Sequence, residues 1–99
     1  MILKKISPKG RSIRVTFEVP LEYAAHAVSV VGDFNNWDTE EHPMTRNIRK
    51  GVWTKSVSFK PGTSVEFRYF IDGHKWHNEP HADAQAPNPH YSENSVLTL

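Results

Sequence analysis

Apolar and polar residues alternate with a period of two along much of this chain. Ile13, Val15, Phe17 and Val19 fall on one side, with Arg14, Thr16 and Glu18 on the other, as in a strand with one buried and one wet face. Pro20 ends that strand. Val65, Phe67, Tyr69 and Ile71 form the most regular stripe, and Glu66, Arg68 and Phe70 are their outward neighbours. Between Val52 and Phe59, Trp53, Val57 and Phe59 share a face opposite Val52, Thr54, Ser56 and Ser58. Lys55 falls on the apolar side, where a lysine is tolerated by snorkelling at a sheet edge. A further strand is predicted from Val28 to Gly32, with Val28 and Val30 facing one way and Ser29 and Val31 the other.

Turn chemistry places the connections. Ile2 to Ser7 reads as a short edge strand closed by Pro8-Lys9-Gly10. Leu21 to Ala27 is too short to stand alone as a helix and is expected to be a connection carrying Leu21 or Tyr23 inward. A turn-rich loop from Asp33 to Pro43 precedes a short strand at Met44 to Ile48. Arg49-Lys50-Gly51 and Lys60-Pro61-Gly62-Thr63 are turns. Asp72-Gly73 suits a tight hairpin, so His74 to His77 is expected to return antiparallel and bring Trp76 back beside the strand it left. Asn78 to Pro89 reads as a long irregular loop, and Ser95 to Leu99 as the closing strand. Six to eight short strands with no convincing helix predict an all-β antiparallel sandwich.

With 99 residues the chain is expected to form one domain over residues 1–99, too small for a catalytic cleft between two lobes. Twelve basic residues face eleven acidic ones with no long basic run, which argues against a nucleic-acid partner. The chain has no cysteine, so disulfides and thiolate metal sites are excluded. Neither a signal peptide nor a membrane span is legible. A soluble cytoplasmic protein is the expectation.

The tryptophans carry the chemistry. Trp53 is in phase with Val57 and Phe59 and is expected in the core. Trp37 and Trp76 sit in or beside turns among polar neighbours, and pattern alone leaves open whether each caps the core or meets a ligand. Two exposed indoles would suit a sugar ring, whose C–H faces pack on aromatic faces while its hydroxyls need polar partners at the rim. Asn35, Asn36, Arg68 and Asn94 are candidates for that rim, although turn formation accounts for the first two. The acidic residues Asp33, Asp38, Glu40, Glu41, Asp72, Glu79 and Asp83 all fall in turns or open loops, so no buried acid of the glycosidase kind is expected. His74, His77 and His81 would not share a face, so neither a metal site nor a cofactor is expected. No serine elbow or cysteine nucleophile is present.

Three blocks together point to a family. Val30-Val31-Gly32-Asp33-Phe34-Asn35-Asn36-Trp37, then Phe67-Arg68-Tyr69-Phe70-Ile71-Asp72-Gly73 with Trp76 and Pro80, and finally Asn94-Ser95-Val96 resemble the family 48 carbohydrate-binding modules. That family includes the glycogen-binding domain in the β subunit of AMP-activated protein kinase and the early-set domains that precede the barrel in isoamylases and branching enzymes. The resemblance covers roughly Ser12 to Leu99. It implies an immunoglobulin-like sandwich that binds α-1,4-linked glucans without catalysis. By its likeness to the kinase-subunit version it also implies that Trp37 and Trp76 are the sugar platform, that Arg68 stands where that version has a lysine bonding sugar hydroxyls, and that Asn94 is the asparagine near the last strand. Arginine for lysine keeps the charge and changes the donor geometry. In the kinase-type module a leucine and a threonine precede that asparagine; here Tyr91 and Ser92 are read in their places. An alternative is a domain that docks on a glycogen- or starch-metabolising enzyme with a vestigial sugar site, since an aromatic patch also suits a protein partner.

Overall fold

The computed structural model describes residues 1–90 and 92–99; Tyr91 lies outside the described residues. In chain order the strands are β1 (Ile2–Ile6), β2 (Ile13–Pro20), β3 (Val28–Gly32), β4 (Thr45–Asn47), β5 (Val52–Phe59), β6 (Ser64–Ile71), β7 (Lys75–His77), β8 (Ala84–Pro87) and β9 (Glu93–Thr98). Single 3₁₀ turns follow β2 (Leu21–Tyr23) and β3 (Asp33–Asn35). There is no α-helix among the described residues, and hence none long and apolar enough to cross a membrane. One sheet has the order β1-β2-β5-β4, the other β3-β6-β9-β8 with β7 also paired to β6. All pairings are antiparallel, and the two sheets pack as an immunoglobulin-like sandwich.

Register follows the apolar stripes, because a one-residue slip would turn every core side chain to solvent. Ile13 faces Phe59, Val15 faces Val57 and Val19 faces Trp53 in the first sheet. In the second, Val28 faces Ile71, Val30 faces Tyr69 and Val65 faces Leu97. The inward rings meet edge to face at the centre. Phe17 lies 5.1 Å from Phe67 and 6.5 Å from Tyr69, and Phe67 lies 5.7 Å from Tyr69 between centroids. Each such ring contributes about 1.5–3 kcal/mol on leaving water. Trp53 is in this core, as its phase predicts. Lys55 sits opposite Phe17 and is half-buried.

Two expectations change and one alternative is decided. The segment from Asn78 to Pro89 is not wholly irregular: Ala84 to Pro87 pairs with β9 as an edge strand. Two alanines, a glutamine and a proline carry no apolar alternation, and a proline is tolerated at an edge, so pattern could not reveal it. Of the two candidates after Pro20, Leu21 packs on the core, whereas Tyr23 is exposed, its ring centroid 4.9 Å from that of His77 in an edge-to-face arrangement.

The second change concerns Glu79, which is in a loop yet fully buried. Its Oε1 accepts from the Tyr69 hydroxyl at 2.8 Å and the Met1 amino group at 2.5 Å, and its Oε2 accepts from the His81 N–H at 2.8 Å. Burial alone would raise its pKa, but the amino group, the His81 amide and the Tyr69 hydroxyl together hold it below the usual value. The same contact works in reverse on Tyr69, whose hydroxyl pKa is pushed well up by burial and then by the Glu79 charge. The carboxylate thus fastens the β7–β8 connection to the core.

Candidate functional site

Alternation in β6 sends Val65, Phe67, Tyr69 and Ile71 into the core and leaves Glu66, Arg68 and Phe70 on the outer face of the second sheet. The cross-strand partners of these residues share that face. Arg68 is opposite Val31 of β3, and Phe70 is opposite Trp76 of β7. The Phe70 and Trp76 rings lie 4.6 Å apart at 44°, and the Arg68 guanidinium carbon lies 5.8 Å from the Trp76 ring centroid. The hairpin that returns Trp76 needs left-handed backbone at Asp72 (φ 52°) and Gly73 (φ 75°), as the Asp-Gly pair predicts. Asp72 also steadies the neighbouring connection: its carboxylate accepts from the backbone N–H groups of Ala25, His26 and Ala27 at 2.7–3.0 Å. The bonds from Ala25, Ala27 and His26 lower its pKa to about 2.

Trp37 arrives on the same side by a tight loop. Gly32 lets β3 pass close to β6: a Cβ there would lie 2.3 Å from the Glu66 carbonyl oxygen. Beyond it Asn35 is buried; its Oδ1 accepts from the Gly32 N–H at 3.0 Å, and its Nδ2 contacts the Val30 carbonyl and His42 Nδ1 at 3.2 and 2.9 Å. Asn35 therefore belongs to the loop's framework rather than to a rim. Asn36 is exposed, and Asn36 and Trp37 both adopt left-handed backbone, with φ of 57° and 58°. The loop closes with the Trp37 N–H donating to the Gly32 carbonyl at 2.9 Å. Left-handed backbone is costly for a bulky residue, so this closure and the Asn35 bonds hold Trp37 outward. Asp33, which accepts from the Glu66 N–H at 3.2 Å, has its pKa raised by partial burial.

Trp37, Arg68, Trp76, Asn88, Pro89, His90 and Asn94 line one open cavity of about 470 Å³. Trp37 and Trp76 are 38% and 39% exposed, against 6% for Trp53, so the first two indoles present ring surface to solvent while the third does not. Asn94 is largely buried, its amide held between Glu66 and Asn88. Ser92 is half-buried on the preceding turn and is not among the lining residues. Asn88, Pro89 and His90 join the lining with one signal in the sequence, the Asn-Pro dipeptide that marks a turn. Among the described residues no three side chains converge as a metal site. Apolar ring faces beside a guanidinium and amides suit a solute with an apolar face and a hydroxylated edge.

The family model for carbohydrate-binding module 48 (isoamylase N-terminal domain) matches residues 9–86. The chain is 47% identical over 47 residues to a 1,4-alpha-glucan branching enzyme of Pseudomonas aeruginosa, covering 48% of this chain and 6% of that enzyme. It is 50% identical over 46 residues to the 1,4-alpha-glucan-branching enzyme of Emericella nidulans, covering 44% of this chain and 7% of the enzyme. A Novosphingobium aromaticivorans branching enzyme is 48% identical over 50 residues, or 50% of this chain and 7% of the enzyme. The matches thus span a small fraction of each relative's length. By the extent of the family match, and with the sandwich that the family implies, this chain belongs to the family 48 carbohydrate-binding modules.

Proposed function

We propose that the cavity binds α-1,4-linked glucans such as glycogen, starch or maltooligosaccharides, and that the module performs no catalysis of its own. The observation that supports this reading best is the convergence of two solvent-facing indoles and one guanidinium on a single open cavity. Trp37 and Trp76 stack on glucose rings, Arg68 donates to sugar hydroxyls, and the segment carrying Tyr91, Ser92 and Asn94 completes the rim. Two stacks and several net hydrogen bonds at about 1 kcal/mol each give roughly 4–6 kcal/mol, or dissociation constants from millimolar to tens of micromolar. Multivalent glycogen raises the apparent affinity when several modules engage one particle. Trp37→Ala or Trp76→Ala should abolish retardation by glycogen in affinity electrophoresis with little change in the thermal melt. Retention by both variants would sink the proposal.

A second reading is a domain that docks on a glycogen- or starch-metabolising enzyme; the exposed rings of Trp37 and Trp76 favour it, since an aromatic patch also suits a protein partner. Glycogen pull-down with maltoheptaose as competitor separates the two, because a docking domain is indifferent to the oligosaccharide.

A further inference from the structure

We infer that Asn88, tied to the Asn94 amide, is a positioning residue that fixes one wall of the cavity. The inference rests on the glucan-binding reading above. Both ends of the Asn94 amide are taken by neighbours. Its Nδ2 donates to Glu66 Oε1 at 3.3 Å, and its Oδ1 accepts from Asn88 Nδ2 at 3.1 Å. The other end of Asn88 then holds the turn: its Oδ1 accepts the backbone N–H groups of His90 at 2.9 Å and Ser92 at 3.3 Å. Its own N–H donates to the Ser92 carbonyl at 3.0 Å. This turn carries Pro89 and His90, which line the cavity with the two tryptophans.

The relay therefore runs from Glu66 on β6, next to Arg68, across β9 to the turn that walls the site. The Asn94 amide also lines the cavity and keeps one N–H and one lone pair outside these bonds. The relay is well placed to keep the turn in one conformation before the ligand arrives, which lowers the ordering cost of binding. Two residues acting through one relay have coupled effects, whereas independent ligand contacts have additive ones.

Maltoheptaose titration calorimetry on the wild type, Asn88→Ala, Asn88→Asp, Asn94→Ala, the Asn88→Ala/Asn94→Ala double variant and Trp76→Ala tests this, each well below its own melting temperature. Asn88→Asp retains an acceptor for the turn but loses the donor to Asn94, so it reports on the relay even where Asn88→Ala melts early. Each single asparagine variant should weaken binding about fivefold, and the double variant no more than about twofold beyond the weaker-binding single. Wild-type affinity in Asn88→Asp, or losses that multiply in the double variant, would overturn the inference while leaving the glucan reading intact, provided Trp76→Ala abolishes binding. A wild type that releases no heat with maltoheptaose and is not retarded by glycogen defeats both.

Discussion

Gly32→Ala is a small substitution with a large expected effect. The backbone there is extended (φ −169°), a conformation that any residue adopts, so the cost is space rather than dihedral strain. The added Cβ would meet the Glu66 carbonyl oxygen at 2.3 Å, and a Phe34 ring carbon and Phe67 Cβ at 2.9 Å each. Relief to 3.0 Å, the shortest approach that real Cβ atoms make, requires β3 and β6 to part by about 0.7 Å (3.0 − 2.3). Overpacking of this kind costs about 1–3 kcal/mol, and one weakened ladder bond adds about 1 kcal/mol. A loss of about 2–4 kcal/mol corresponds to a fall in melting temperature of about 10–25 °C for a domain this size. Glucan affinity should fall too, because Gly32 donates to Asn35 and accepts from Trp37. Urea and thermal unfolding followed by circular dichroism measure the first effect, and affinity electrophoresis on glycogen at low temperature measures the second. A variant that melts within about 2 °C of the wild type would refute the steric argument.

Trp53→Ala should lose about 3–5 kcal/mol of stability, since that ring is 6% exposed in the core, while the folded fraction still binds glycogen; an unchanged melt would remove Trp53 from the core. Asp72 supplies a pH prediction. Its pKa is about 2 in the folded protein, against an ordinary 3.8, so its stabilising effect is complete above the ordinary value and is lost as the pH falls towards 2. Asp72→Asn should therefore lower stability at neutral pH and flatten the acid limb of the melting-temperature profile. Profiles that stay parallel from pH 5 to about 2 would show that the three backbone bonds do not depend on its charge.

The fold was legible wherever a strand had one wet face. β2, β5 and β6 announce themselves because each alternates, and β3 and the Asp72–Gly73 hairpin follow from apolar residues ending at a glycine and from turn chemistry. β8 was not legible, since an edge strand of small residues is specified by its neighbour β9 rather than by its own sequence. Glu79 was missed for a related reason. Its burial depends on Tyr69, Met1 and the His81 amide, partners scattered along the chain, and no local spacing records that meeting. The candidate site shows the same division. Alternation put Arg68 outside, and turn composition put Trp37 and Trp76 at loop edges, but only register brings Trp76 onto Phe70 and sets Arg68 beside it. For Asn88 the Asn-Pro dipeptide marks only a turn, because the residue's significance lies in which atoms its amide touches.

The two routes by which tryptophans reach the cavity have different evolutionary consequences. β6 carries separate tasks on its two faces, and β7 presents Trp76 outward with no core residue of its own, so on the glucan-binding reading substitution at Arg68 or Trp76 can retune a ligand preference while the inward residues of β6 keep the fold. Trp37 has no such freedom, because its presentation passes through Gly32 and the buried amide of Asn35, which also shape the strand pair itself. Drift among homologous modules should accordingly be tolerated on the hairpin and resisted at the loop, leaving the Gly32-to-Trp37 segment as the durable lineage marker and the hairpin as the place where new specificities arise.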